Sequence, residues 1–544
     1  MTSLTRELAD KRPFAWPLVA RRWRWSWEAV AFTVVLLLQF VPLVVLPAVV
    51  TVDGPAHVAG GWLLSHLDEP AVRAAYEVNA FPYPNLLTEL LLAILTAALP
   101  LVAAEKVLVA GWFLLLPLAL RYALGGVNPR ARWLAVLAFP LATNYLYYYG
   151  FYNFCYGLGL FLVVLGFVLR RHPHWTPRST AVLGGLLLAT YLAHLLPFLE
   201  ALLVLAVVAL VGLVRERRAA LRSSAALAVA ALPSVLLAVG FATRTDTPAA
   251  PSWSDPLDLA VGLLTLTRPL LVYDAREAFA ATLVAVVLIV LAVLAWPAGL
   301  PRATGTMSTV LGVATAACLV TYLAAPARLS ADYGFLNDRL VFFPVLVGVL
   351  WLGTRTFPAR VRAGATAAVL VAAVTLVALR LPTELRYQRH VAELESAATA
   401  VPAGSTVLAV RLTLDAPVNG PIRNIYRDPI RHVASRIAAQ HHGVNVGHYE
   451  AAYDYFPLRF RPDADVWRAI DPDRRGLERV PPRIDLSVPA ARRITVVLLI
   501  GRRTATRTTM TAPETTRLLG DLARGYRRTE VTRPTGLVEV YQRR

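Results

Sequence analysis

Trp27-Glu-Ala-Val-Ala-Phe-Thr-Val-Val-Leu-Leu-Leu-Gln-Phe-Val-Pro-Leu-Val-Val-Leu-Pro-Ala-Val-Val50 carries, after Glu28, only Thr33 and Gln39 as polar residues. At about 1.5 Å per residue the run is long enough to cross ~30 Å of hydrocarbon. It exceeds the apolar region of a signal peptide, and no small-residue cleavage site follows, so it reads as a retained first span. Upstream stand Lys11, Arg12, Arg21, Arg22 and Arg24. By the positive-inside rule they hold the tail, residues 1–28, in the cytoplasm. The next residues, Thr51-Val-Asp-Gly-Pro-Ala-His57, then emerge on the far side. Asp53 is thereby an extracytoplasmic carboxylate at a membrane surface, beside a histidine.

The rest of the chain follows the same pattern. It has 544 residues, 57% of them hydrophobic, with a mean hydropathy of +0.54. Repeated apolar stretches of span length define a polytopic α-helical membrane protein. The formal charge of +19 sits largely in short inter-span loops such as Arg170-Arg171, Arg215 to Arg218 and Arg355 to Arg362. Topology accounts for that charge, and a nucleic-acid partner is not implied. Cys155 and Cys318 lie far apart in apolar segments, so neither a disulfide framework nor a thiolate metal site is supported.

With the basic loops placed inside, further spans fall at about 85–102, 107–123 and 153–170, in a hairpin turning near His194, and at about 223–241, 278–296, 306–325, 339–354 and 363–380. Arg302 and the Arg355, Arg360 and Arg362 cluster then face the cytoplasm. Asp53 outside and Arg171 inside require an odd number of crossings between them, yet four apolar stretches intervene. The segment 132–148 carries Pro140 and ends in Asn144-Tyr-Leu-Tyr-Tyr-Tyr149, so it is expected to be re-entrant or interfacial. About eleven spans result, within a membrane part 29–380 whose first outer loop covers 51–84.

Residues 381–544 read as an extracytoplasmic α/β domain. A charged helix over about 384–399 precedes the strand-like Thr406-Val-Leu-Ala-Val410. A helix starting at Asp428-Pro429 runs to Ala439, Arg493 to Ile500 reads as a buried strand, a helix covers about 513–524, and Gly536 to Tyr541 ends the pattern.

Pro55 suits the first turn of a helix running to about Leu67, which makes Asp53 either a helix cap or a working acid. A first loop of this length, with an amphipathic helix of its own and Phe81-Pro-Tyr-Pro-Asn85 leading into the next span, is long for a connector. A basic-flanked span, an acid opening a helix, and Tyr83-Pro-Asn-Leu-Leu87 entering the second span resemble the GT-C glycosyltransferases. The nearest are bacterial members of the protein mannosyltransferase and aminoarabinose transferase group. The resemblance implies an active site at the outer face of the bacterial cytoplasmic membrane. It also implies a polyprenyl-phosphate sugar as donor substrate and an envelope glycan, lipid or protein as acceptor. Asp53 would then be the base in an inverting displacement. The chain departs from the common pattern at Gly54, where a second carboxylate often follows, and no Asp-x-Asp motif stands in the first loop. A divalent metal is therefore left open.

Transfer of a sugar needs a base for the acceptor hydroxyl and cations for the departing phosphate. His57, one turn beyond Asp53, could orient it or share its proton. His194 and Glu200, ionisable groups in an apolar hairpin, are candidates to line a substrate cavity. In Asn337-Asp338-Arg339 the arginine could pair bidentately with phosphate, with Asp338 beside it, and Arg268 and Arg328 are further cations. His441, His442 and His448 match no strong metal-ligand spacing, and Tyr449 to Phe460 reads as packing. Two other classes compete: a transporter or flippase of a lipid-linked saccharide, and a non-catalytic envelope-assembly protein. The first should show internal repeats or paired broken helices, which the sequence lacks.

Overall fold

The computed structural model describes residues 27–216, 218–244, 250–296, 305–330, 333–413, 418–419, 424–425, 428–453 and 455–544. The basic N-terminal tail, Arg217 and Arg302 lie outside the described residues. The chain is mostly helical, and among the described residues eight helices are long and apolar enough to cross a membrane. They are Trp27–Val45, Leu101–Val127, Tyr152–Arg171, Leu195–Arg215, Ala220–Ala242, Glu277–Ala295, Thr306–Ala324 and Ala359–Ala400. Val44, Val214, Leu236, Phe279, Val293 and Val320 project from them largely exposed. Such a belt of uncovered aliphatic and aromatic side chains suits lipid and not water. The protein is thus a multi-pass membrane protein.

Three other segments counted as spans in the sequence form shorter helices. Leu87–Thr96, Pro177–Ala193 and Phe342–Leu352 have 10, 17 and 11 residues, or about 15, 26 and 17 Å of rise. Each has a local reason to stop or start. Asn85, before the first, has φ 79° and Phe335, upstream of the third, has φ 59°; the second ends where His194 turns extended. The segment 132–148 breaks into a 3-10 helix, Pro129–Leu137, and two short helices, Ala138–Ala142 and Tyr145–Tyr149. Its tyrosines do not form an exposed surface: Tyr145, Tyr147 and Tyr148 are buried among helices. Trp112 Nε1 ties the segment in by donating to the Ala142 carbonyl at 2.8 Å.

The last spanning helix does not end with its apolar part. Ala359–Ser396 is one helix of 38 residues with Pro382 inside it, about 57 Å long. It carries Arg380 from the apolar stretch into the charged one, where Arg380 pairs with Glu277 at 3.1 Å, both fully buried. Glu277 in turn accepts from the backbone N–H groups of Val272 and Tyr273 at 2.7 and 2.9 Å, so this buried pair is compensated on both sides.

Apart from a short antiparallel pair, Val418–Asn419 with Asn424–Ile425, seven strands among the described residues organise the remainder: β1 Tyr76–Val78, β2 Thr406–Arg411, β3 Val444–Asn445, β4 Leu458–Phe460, β5 Val496–Ile500, β6 Tyr526–Val531 and β7 Val538–Arg543. Five make a sheet in the order β3-β2-β5-β7-β6. β3, β2 and β5 run parallel, and the β7 and β6 pairings are antiparallel. All five residues of β5 are buried, as expected for a central strand covered on both faces. Helix Val433–Gln440 begins later than Asp428-Pro429 suggested, because Asp428 pairs with Arg411 and the chain turns before winding.

This C-terminal part is joined to the first inter-span loop. β1 pairs antiparallel with β4 in the register Tyr76 to Phe460 and Val78 to Leu458. Helix Gly54–Ser65 lies beneath helix Val433–Gln440. The sequence suggested an amphipathic surface helix here. Instead Gly54 to Leu63 is buried on every side, because C-terminal residues cover the face that would otherwise meet solvent. Arg436 completes the join with an ion pair to Glu105 at 3.2 Å, both residues fully buried.

Candidate functional site

Asp53 is fixed by its backbone. Val52 N–H and Asp53 N–H donate to the carbonyls of Tyr148 and Tyr149 at 3.2 and 2.9 Å. That close approach requires Gly150, whose φ is +94° and whose added Cβ would lie 2.7 Å from the Gly54 nitrogen. Pro55 sits in the first turn of the helix as expected, yet the Asp53 side chain makes no capping bond. The carboxylate is buried and free of the helix end. Its Oδ1 lies 3.5 Å from His432 Nε2.

Burial pushes the Asp53 carboxyl up to about 7, against the lowering charges of Arg431 and His57. The acid is therefore poised to take a proton near neutrality. His432, likewise buried and beside Arg431 and Arg411, is held well below the ordinary imidazole range and stays neutral. Arg431 pairs with Glu478. Arg339, from the opposite wall, is within electrostatic reach of Asp53. Its guanidinium lies over the Phe151 ring at 4.6 Å and donates to the Gly334 carbonyl at 2.7 Å, leaving Nε without a bonded partner among the described residues. One buried carboxylate within electrostatic reach of two arginines thus stands where the first loop meets the C-terminal part. A cavity of about 40 Å³ opens beside it, lined in part by Arg411, Arg431, His432, Asn445 and Glu478. Water fits that volume, whereas a sugar needs several times more.

Gly54 has a structural explanation. A Cβ there would lie 2.2 Å from Thr51 Oγ1, 2.3 Å from Glu105 Oε1 and 2.5 Å from the Tyr152 hydroxyl. Where a second carboxylate might follow Asp53, the carboxylate of Glu105 already fills the space. It accepts from the Tyr152 hydroxyl at 2.8 Å and pairs with Arg436.

His57 does not reach toward the Asp53 carboxylate. Its Nδ1 faces Glu89 Oε1 at 2.8 Å and Glu450 Oε1 at 2.5 Å, all three side chains buried. Burial favours the neutral ring, but the Glu450 and Glu89 charges outweigh it and raise the imidazole well above its ordinary range. These three residues have the donor atoms to hold a metal ion.

The other candidates disperse. His194 accepts from the Leu196 N–H at 3.1 Å and packs on Phe154, within electrostatic reach of Arg339 and so adjoining the site. Glu200 bonds the Thr321 hydroxyl at 2.8 Å between two spans, away from Asp53. Asp338 turns to Arg268 at 3.0 Å, where Arg268 also meets Asp258. His442 pairs with Glu69 at 3.2 Å, and of the three histidines considered together only His448 comes near the cluster, 3.7 Å from Glu450. Tyr449 and Phe456 pack on His57, each ring 6.3 Å away; Asp454 between them lies outside the described residues.

Glu89, Glu105, Arg431, His432, Arg436 and Glu450 were not singled out from the sequence. Glu89 and Glu105 did offer a signal, being lone acids in apolar runs. His432 and Arg436 stand four apart, on one helical face. Glu450 has no local signal. Two Asp-x-Asp runs, Asp463-Ala-Asp465 and Asp471-Pro-Asp473, do occur far along the chain. Asp465 caps a helix through the Arg468 N–H at 2.9 Å and Asp471 accepts from the Leu477 N–H at 3.0 Å, so both are engaged locally. Comparison of the chain with protein-family models and with curated proteins finds no match.

Proposed function

We propose that this multi-pass protein is a membrane glycosyltransferase of the GT-C kind, moving a sugar from a polyprenyl-phosphate carrier to an envelope acceptor. The observation that carries the reading is the buried, uncapped carboxylate of Asp53 within electrostatic reach of Arg431 and Arg339. A base beside two cations is what displacement of a phosphate-linked sugar asks for. Asp53 takes the proton of the acceptor hydroxyl as its oxygen attacks the anomeric carbon, and the arginines hold the leaving phosphate. His194 adjoins the arginine side of this site.

The topology that goes with this reading has the basic tail in the cytoplasm. Asp53 and an α/β domain at 381–544 are then on the outer face of a bacterial cytoplasmic membrane. Counting the three shorter helices as membrane-inserted gives eleven segments. The site is closed around its small cavity, so admitting a glycosyl donor displaces side chains that line it.

Asp53→Asn tests the proposal. The variant is isosteric, so folding and abundance in the membrane should persist, while transfer from polyprenyl-phosphate hexoses or pentoses to envelope acceptors falls about 10²–10⁴-fold. Full transfer by the variant would refute the base and return the chain to the transporter or assembly readings.

A further inference from the structure

The cluster of His57, Glu89 and Glu450 sits beside the Asp53 site but supplies neither the base nor an arginine to it. Glu89 is fully buried, and His57 and Glu450 nearly so. A single Nδ1–H would have to serve two carboxylate oxygens, at 2.8 and 2.5 Å. It cannot satisfy both. Glu89 Oε2 has no hydrogen-bond partner among the described residues although it is buried, and Glu450 Oε1 faces only the shared Nδ1. Two carboxylates share one imidazole away from water, an arrangement that is costly unless a further proton or a cation balances it.

Two neighbours shape the cluster. Gly60 lies against it, and a Cβ there would meet Glu450 Oε2 at 2.3 Å and Glu89 Oε2 at 3.1 Å, so any larger residue would push the carboxylates out. On the other side of the ring, His57 Nε2 faces the Tyr449 hydroxyl at 3.5 Å. That hydroxyl can accept from an Nε2–H, which would fix the tautomer whose Nδ1 carries a lone pair. Metal-bound histidines are commonly oriented through their second nitrogen in this way.

We propose that His57 Nδ1, Glu89 and Glu450 bind one divalent cation of the zinc or manganese class. One imidazole nitrogen and two carboxylates form a mixed N/O set with a divalent charge balance. The candidate donor atoms lie within 4.8 Å of one another, and spreading them by about 0.5–1 Å admits an ion at 2.0–2.2 Å from each. The cation takes the place of the Nδ1 proton, which is released on binding. The inference rests on this geometry and not on the glycosyltransferase reading.

Binding is measured on the full-length protein in detergent, stripped with EDTA and titrated with Mn²⁺ or Zn²⁺ without any sugar donor. One equivalent should bind and raise the unfolding temperature. Glu89→Gln and Glu450→Gln should each weaken binding at least tenfold, Tyr449→Phe about tenfold through the lost orientation, and Glu200→Gln should leave it unchanged. Absence of stoichiometric binding to the intact protein, or equal affinity in folded Glu450→Gln, overturns the site. Because no transfer is assayed, failure here is distinguishable from failure of Asp53 as a base.

Discussion

Replacing Gly54 by aspartate would create the acidic pair that many GT-C glycosyltransferases carry, and the structure predicts that it will do harm. A Cβ at position 54 would stand 2.2, 2.3 and 2.5 Å from three side-chain oxygens, where real contacts stay beyond 3.0 Å. Each neighbour must retreat by about 0.5–0.8 Å, and overpacking of this sort costs about 1–3 kcal/mol. The new carboxylate adds repulsion against Glu105, so Gly54→Asp should be less stable than Gly54→Ala. Glu105→Ala alone should cost about 1–3 kcal/mol, since it removes one of the two carboxylates, Glu105 and Glu395, that pair with the buried Arg436 guanidinium. Combined, the two changes relieve each other. The added carboxylate moves into the vacated space, and a favourable coupling of about 1–3 kcal/mol is expected. Denaturant unfolding of the four proteins in one detergent, followed by tryptophan fluorescence, closes the cycle. Additivity of the double variant within about 0.5 kcal/mol would refute the claim that Glu105 occupies the missing residue's place.

Two further outcomes concern the frame around the site. Gly150→Ala should lose about 1–3 kcal/mol from its +94° φ, and more from the clash with the Asp53 and Gly54 backbone; a fall in unfolding temperature checks it, and an unchanged one would deny the close approach. Glu393 accepts from Thr535 N–H and Leu537 N–H at 3.0 and 2.9 Å and from the hydroxyls of Thr532 and Thr535. Burial alone would raise its carboxyl, but these bonds outweigh burial and hold it below the usual range. A lowered folded value means the stabilisation is complete above the unfolded pKa of about 4.3 and is lost as pH falls through the lower folded one. Glu393→Gln should therefore destabilise by about 1–3 kcal/mol at pH 7 and flatten the acid limb of stability measured between pH 5 and 2.

Span-length apolar runs were readable because hydrocarbon thickness imposes a length, as at Leu101–Val127 and Glu277–Ala295. The break in 132–148 was also readable, from Pro140 and its short length. What composition could not tell was whether a segment meets lipid or other helices. The Tyr145–Tyr149 turn is buried among helices, and Leu87–Thr96 is only 10 residues long. In the C-terminal part, β2, β5 and β7 announced themselves by runs of β-branched and aliphatic residues. β6, Tyr526-Arg-Arg-Thr-Glu-Val531, is a polar edge strand and β1 is three residues long, so neither has a pattern to detect. Asp53 stood out because an acid beside a proline at a span's end is locally odd. Its partners His432 and Arg431 come from another part of the chain, and no spacing rule links them.

The pairing of β1 with β4 joins residues made at opposite ends of synthesis. Glu77 and Arg459 lie 382 positions apart and meet at 2.6 Å. At about 5–20 residues per second, β1 waits roughly 20–80 s for its partner strand. Throughout that interval Asp53 has neither His432 nor Arg431, and Glu89 has no Glu450. A chain interrupted after its last span would thus sit in the membrane with its helices packed and its chemistry unassembled. The site behaves as a completion signal, formed only by molecules whose ribosome has passed Glu450.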